Sequence, residues 1–298
     1  MWVNGATLPG VVAARGPKEW LGSSGRVGRA RAYDRVMSLS LRPEQIDEAA
    51  ARLAEARRSV TTIENLGEAT PTDAAAAEAI SDAHAAALGW EVIGWKVGCT
   101  SELAMQILNS PGPFAGRIFD GTSYGSRQVA GAAMVRPQVE CEFAFVLGAD
   151  LSPATAPHSL DDVRAATAAV APAIEMVDTR LSDFTGVGYL SLVADHGANG
   201  GVVLGDPVPI DDVPDLASVQ VTCTIDDEVD ATGSGSAILG DPWNALVWLA
   251  NHLSDRGFTL RAGEIVMSGT CTGIADLAVG STATATHEGQ GSVSITRT

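Results

Sequence analysis

Between Pro137 and Gly148 the chain reads Gln-Val-Glu140-Cys-Glu142-Phe-Ala-Phe-Val-Leu, an apolar, strand-forming run interrupted by two carboxylates two residues apart. Side chains of a strand alternate between faces, so Glu140 and Glu142 share one face while Val139, Cys141, Phe143 and Phe145 share the other. Ala144 and Val146 continue the glutamate face, so the acids do not belong to a solvated surface. Burying either carboxylate without a partner costs on the order of several kcal/mol. A cation between them resolves the conflict, and all-oxygen ligation favours Mg²⁺ or Mn²⁺.

The elements around this strand come in a telling order. From 43 to 59 the apolar positions Ile46, Ala50, Leu53 and Ala54 recur at helical spacing, with acids early and Arg57 and Arg58 late. Thr72 and Asp73 open a second helix over 74–88, which Gly89 closes. Short strands then follow at 90–98, 139–147, 174–177, 201–204, 219–225, 264–268 and 292–296. Two further helices are expected, at 160–170 after Ser159 and at 243–253 after Asp241-Pro242. Helices first and mostly strands afterwards give an α+β chain rather than a doubly wound sheet. Residues 1–36 are rich in Gly and Arg without any period, as a transit peptide also is, and read as a disordered extension or an upstream start whose counterpart is Met37. Residues 37–298 are expected to form one catalytic domain: helices and a first strand over 37–100, then a β-rich metal-binding core over 101–298.

A formal charge of −17 on 298 residues disfavours nucleic acid and anionic membranes as partners. No apolar run is long enough to span a bilayer. Cys99, Cys141, Cys223 and Cys271 are scattered and form no metal or redox motif, as suits a reducing, cytoplasmic setting.

A third acid, Glu175, interrupts the apolar run Pro172-Ala-Ile-Glu-Met-Val. It either pairs with a neighbour such as Arg180 or completes a three-carboxylate site with Glu140 and Glu142; the unmet charge of the latter two favours the site. Lys96, in Gly94-Trp-Lys-Val-Gly98, is either an edge lysine or a desolvated one that balances the acids and moves protons. The loop Asp195-His196-Gly-Ala-Asn199-Gly-Gly201 is either a turn or a set of backbone N–H groups for an anion. Ser268-Gly269-Thr270-Cys-Thr-Gly273 has a similar texture and could hold a carboxylate. His84, His158, His252 and His287 read as surface or packing residues.

Taken together, Gly94–Gly98, Pro137–Gly148, Ile174-Glu-Met-Val-Asp178-Thr-Arg180, Val193-Ala-Asp-His196, Leu239–Ala250 and Gly263–Thr270 resemble the 2-keto-4-pentenoate hydratases. That group also holds the 4-oxalocrotonate decarboxylases and belongs to the fumarylacetoacetate hydrolase superfamily. The resemblance implies an N-terminal helical/α-β portion followed by a mixed-β roll. It also implies Glu140, Glu142 and Glu175 as metal ligands, Lys96 as the active-site lysine, and Asp120 as a second acid–base residue. Asn199, Ser268, Gly269 and Thr270 would contact substrate, although Asn199 stands near where the family often has serine, which bears on substrate identity. The implied partner is a small 2-oxo or 2-hydroxydienoic acid from aromatic-ring meta-cleavage, hydrated by a homo-oligomeric enzyme. Its carboxylate and 2-oxygen would meet a Lewis-acidic Mg²⁺ or Mn²⁺. A decarboxylase uses the same electron sink on a substrate with a second carboxylate, and the superfamily's C–C bond hydrolases add a His–Glu pair not evident before Glu140. A catalytically silent binding homologue would have no reason to keep buried acids.

Overall fold

The computed structural model describes residues 39–125, 129–130 and 134–298. The expected extension or alternative start over 1–36 lies outside the described residues. Helix α1 (Pro43–Ser59) begins on a proline, carries Glu44 in its first turn and ends on Arg57 and Arg58, in agreement with the helix dipole. Helix α2 (Ala74–Leu88) starts where the Asp73 side chain accepts the Ala76 amide at 2.8 Å and stops at left-handed Gly89. Then come β1 (Val92–Gly98), α3 (Glu102–Leu108), β2 (Phe114–Phe119), β3 (Ser123–Gly125), β4 (Val129–Ala130) and β5 (Gln138–Leu147). The chain continues through α4 (Leu160–Ala166), β6 (Thr167–Val177), α5 (Tyr189–Ala194), β7 (Asn199–Leu204) and β8 (Val208–Pro209). It ends with β9 (Gln220–Ile225), β10 (Glu228–Ser234), α6 (Pro242–Asp255), β11 (Ile265–Met267), β12 (Ile274–Asp276), β13 (Thr282–His287) and β14 (Gly291–Arg297).

Two sheets result. The larger runs β2-β1-β11-β5-β6-β7-β3, with β12 beside β5 and β8 beside β6; the smaller runs β10-β9-β13-β14-β4. Pairing is mixed: β1–β11 and β3–β7 are parallel, whereas β11–β5, β5–β6 and β6–β7 are antiparallel. The fold is α+β: α1 and α2 precede every strand, as the element order implies, while α3, α4, α5 and α6 fall between strands. One boundary departs from expectation. The helix expected over 160–170 stops at Ala166, and the Ala-rich stretch beyond it is the start of β6, which pairs with β5 from Thr167 opposite Leu147 to Val177 opposite Gln138. Sheet pairing along the whole of β5 overrides local helix propensity there.

The alternation within β5 sets the layers. Val139, Cys141, Phe143 and Phe145 pack with Val221 and Cys223 of β9, Ala283 and Ala285 of β13, and Trp243 and Leu249 of α6. Each large apolar side chain buried there contributes about 1.5–3 kcal/mol, which holds the strand in place against the charge conflict on its other face. That face carries Ala144, which joins Ile118, Ala173, Val202 and Met267 in a small cluster, and then the acids. Helices α1, α2 and α5 form a third core through Leu53, Ile80 and Leu192, which closes over the acid face near Phe114 and Val177. No helix among the described residues is long and apolar enough to cross a membrane.

Candidate active site

Strand register brings the three glutamates together. Glu140 lies directly opposite Glu175 in the β5–β6 pair, and Glu142 follows two residues along the same face. Like charges opposed across a sheet destabilise it. One carboxylate oxygen from each of Glu140, Glu142 and Glu175 lies within 4.8 Å of the others. Glu142 and Glu175 are fully buried and Glu140 is half-buried. Glu142 Oε2 accepts the Gly269 amide at 2.9 Å, but Oε1 has no protein partner. Glu175 Oε1 accepts Asn199 Nδ2 at 2.8 Å, and Oε2 lies 3.1 Å from Lys96 Nζ. Arg180 pairs instead with Asp178, so the alternative Glu175–Arg180 pair does not form.

Three carboxylates and one ammonium leave an excess of negative charge. Burial and the neighbouring Glu175 push Glu140 up to about 7 despite Lys96. Burial, with Glu175 and Glu140 adding to it, holds Glu142 well above the ordinary carboxylate range. An orphaned buried oxygen, an all-oxygen donor set and surplus negative charge fit a hard divalent cation, which Glu140, Glu142 and Glu175 would hold.

Lys96 sits in β1 between Gly116 of β2 and Met267 of β11 and is 3% exposed. Burial pulls its ammonium down, but Glu175, Glu140 and Glu142 together outweigh that and raise it above the usual lysine value. Nζ donates to the Gly197 carbonyl at 3.0 Å. The close approach needs glycine: a Cβ on Gly116 would meet the His196 carbonyl oxygen at 2.0 Å, and one on Gly197 would meet Lys96 Cδ at 3.1 Å.

The loop supplying that carbonyl is left-handed at three successive residues, with φ of 54° at His196, 66° at Gly197 and 62° at Ala198. Such a conformation costs about 1–2 kcal/mol at each non-glycine position, so its surroundings must impose it. The buried His196 ring stacks on His84 at 4.4 Å, meets Phe119 edge-on and places Nδ1 3.0 Å from Ser81 Oγ. Asp195 accepts Thr179 Oγ1 at 2.8 Å, the Arg180 amide at 2.6 Å and Arg57 Nη2 at 3.1 Å. Arg57 Nη1 donates to the Asn199 carbonyl at 2.8 Å. Burial, reinforced by His84 and nearby arginines, keeps His196 neutral. The loop offers the Gly197 carbonyl to the Lys96 ammonium, a contact that neither sequence reading of it anticipated.

Not every expected site residue converges here. Lys96, the three glutamates, Asn199 and Gly269 do. The Asn199 amide is spent on Glu175. Ser268 Oγ is consumed by the turn, accepting the Phe143 amide at 3.0 Å and donating to the Gly269 carbonyl at 3.1 Å. Thr270 Oγ1 likewise donates to the Gly273 carbonyl and accepts the Gly273 amide. The glycine-rich turn does bind a carboxylate, but it is the chain's own Glu142. Asp120 lies four residues along from Gly116, roughly 13 Å at strand rise, is exposed, and lines a different cavity.

Above Lys96 and Glu140 is a pocket of about 100 Å³ walled by Cys99, Ile107, Phe114, Val177, Phe184 and Ile274. Burial keeps the Cys99 thiol above its usual range, which disfavours the thiolate form. Ile107 comes from α3 and Phe114 from β2, two elements absent from the sequence reading.

The fumarylacetoacetate (FAA) hydrolase C-terminal family model matches residues 122–296, more than half of the chain. This chain belongs to the fumarylacetoacetate hydrolase family. Within that family it is 38% identical over 255 residues to a 2-keto-4-pentenoate hydratase of Paraburkholderia phymatum, covering 84% of this chain and 96% of that protein. It is 33% identical over 266 residues to a 2-hydroxyhexa-2,4-dienoate hydratase of Comamonas testosteroni, covering 84% and 96%. Among solved structures, 4-oxalocrotonate decarboxylase from Pseudomonas putida G7, complexed with magnesium and adipate, superposes with a TM-score of 0.81 at 28% identity, covering 87% of this chain and all of that one.

Proposed function

We propose that this protein is a divalent-metal-dependent hydro-lyase that adds water to a short 2-hydroxy-2,4-dienoate through its 2-oxo-enoate form. The observation that carries the reading is the cluster of Glu140, Glu142 and Glu175 with Lys96 Nζ 3.1 Å from Glu175, of which Glu140 and Lys96 line an apolar pocket. The names of the hydratase relatives support it, and the magnesium in the decarboxylase structure supports the choice of ion.

A Mg²⁺ or Mn²⁺ ion held by the three carboxylates would supply Lewis-acid stabilisation of negative charge at the substrate's 2-oxygen. Lys96 carries a proton at Nζ. Two of its donors face the Gly197 carbonyl and Glu175, which leaves the third for the pocket, where protons are exchanged with the substrate chain. Asn199 and the Gly269 amide fix one oxygen each of Glu175 and Glu142, leaving the opposite oxygens for the ion. Phe114, Val177 and Phe184 exclude bulk water and accept an apolar tail.

Asp120 takes no part in this reading, because it opens on another cavity. A homo-oligomer, as the family resemblance implies, and a single catalytic domain over 37–298 belong to the same proposal.

Hydration is preferred to decarboxylation for one reason. Lys96 is the only cationic residue among the described residues lining the pocket, and its outer wall is apolar, so a second substrate carboxylate would be unpaired there. The test follows loss of the ultraviolet absorbance of 2-hydroxypenta-2,4-dienoate with and without Mg²⁺, then product analysis with its 6-carboxylated analogue. Metal-dependent hydration of the short substrate supports the reading. Carbon dioxide release from the longer one, with no turnover of the short one, overturns it.

A further inference from the structure

A cavity of about 440 Å³, more than four times the pocket over the acids, lies elsewhere and shares no lining residue with it. Arg57, Arg58, Arg180, Trp90 and Tyr124 line it, with Asp120 and Glu91 also at its wall. Two of the arginines are buried, Arg57 at 7% and Arg180 at 2% exposure. Arg57 spends Nη1 on the Asn199 carbonyl and Nη2 on Asp195, while its Nε has no partner. Arg180 spends Nη2 on Asp178, while its Nε and Nη1 have none.

The neighbouring acids cannot supply the missing acceptors. Asp178 also receives the Val135 and Arg136 amides, and Asp195 receives Thr179 and the Arg180 amide. Burial and then the charge of Arg57 pull Arg180 down to about 10, with Asp195 opposing. Buried donors without acceptors are rare in folded proteins and call for an explanation.

We propose that this cavity is a second binding site, for a small organic carboxylate whose oxygens meet the arginine wall and whose apolar body lies against Trp90 and Tyr124. The aromatic walls favour an organic anion, and Asp120 and Glu91 disfavour a multiply charged one such as phosphate. Arg58, exposed at the rim, adds attraction for the anion. Gly200 lines the cavity one residue beyond Asn199, whose amide holds Glu175, so an occupant would lie beside the segment that orients a proposed metal ligand.

The test is calorimetric titration of benzoate, which lacks the 2-oxo group needed for chelation, into the full-length metal-free protein. Benzoate is expected to bind at one site. Arg58→Glu, a change at an exposed position, should weaken it about tenfold or more, Thr122→Trp, which fills the cavity, should abolish it, and Lys96→Met should leave it unchanged. The proposal is overturned by absence of binding to the wild type, by affinity that neither cavity variant moves, or by affinity lost in Lys96→Met, which would put benzoate over the acids. Inorganic phosphate displacing benzoate at comparable strength would overturn the carboxylate class.

Discussion

Replacing Glu140 by glutamine should stabilise the metal-free protein while weakening its stabilisation by metal. In the absence of a cation the Glu140 carboxyl is displaced from 4.5 to about 7 by burial and by Glu175 across the strand pair. Each pH unit of such displacement is worth 1.36 kcal/mol, so ionising Glu140 at pH 7 opposes folding by about 3 kcal/mol, or about 2 once water screening of this half-buried group is allowed for. Glutamine removes that penalty. The expected gain in the metal-free melting midpoint is about 4–8 °C, at roughly 2–4 °C per kcal/mol for a chain of this size. The sign in pH follows from linkage: the folded state holds the proton more tightly than the unfolded one, so the wild type loses stability relative to Glu140→Gln as pH rises from 4.5 to about 7 and no further above it. Taking the difference between the two proteins cancels the buried histidines, which titrate in an overlapping range. Mg²⁺ at a hundred times its dissociation constant should add about 2.7 kcal/mol to the wild type and much less to the variant. Thermal melts by circular dichroism at several pH values, with chelator or Mg²⁺, measure all of this. A lower midpoint for metal-free Glu140→Gln at pH 7 would mean that Glu140 is held by Lys96 in a net stabilising pair, and the charge-conflict argument would fail.

Lys96→Met should still bind Mn²⁺ yet lose about 10²–10⁴-fold in kcat, read by steady-state kinetics; a wild-type rate would make the lysine structural. Phe184 and Val177 separate the pocket over the acids from a cavity of about 190 Å³ that Arg136 lines. Phe184→Ala should therefore shift kcat/KM towards 2-oxo dicarboxylates, and an unchanged substrate ratio would show that Phe184 is not the barrier. Burial holds His84 and His287 down to about 4 and His196 well below its usual value, so the unfolded state gains protons first as pH falls. Stability should drop from about pH 6.5 to 4 with an apparent uptake of more than one proton, measured by urea unfolding.

The parts of the site that follow a short-range rule were legible in the chain. Alternation in β5 placed Glu140 and Glu142 on one face, and capping signals located both N-terminal helices with their observed boundaries. The grouping of Glu175 with Glu140 was suggested by unmet charge and by the family resemblance and not by any local pattern, since register depends on the whole β5–β6 ladder. What stayed hidden is tertiary. Arg57 reads as a helix-end cation, yet it is buried against Asp195 and Asn199, more than a hundred residues away. Strand β13, Thr-Ala-Thr-Ala-Thr-His, buries two alanines and His287 on its inner face and so gives a weak periodic signal. The Ser268 and Thr270 hydroxyls look available in sequence and are consumed by their own turn.

The direct measurement is anomalous diffraction from crystals of the protein grown with Mn²⁺ and a non-reactive 2-oxo acid. A single strong peak bounded by carboxylate oxygens of Glu140, Glu142 and Glu175, with the organic acid beside it and Lys96 in contact, is the predicted result. Manganese bound elsewhere, or absent while the three carboxyl groups remain in place, would contradict the account.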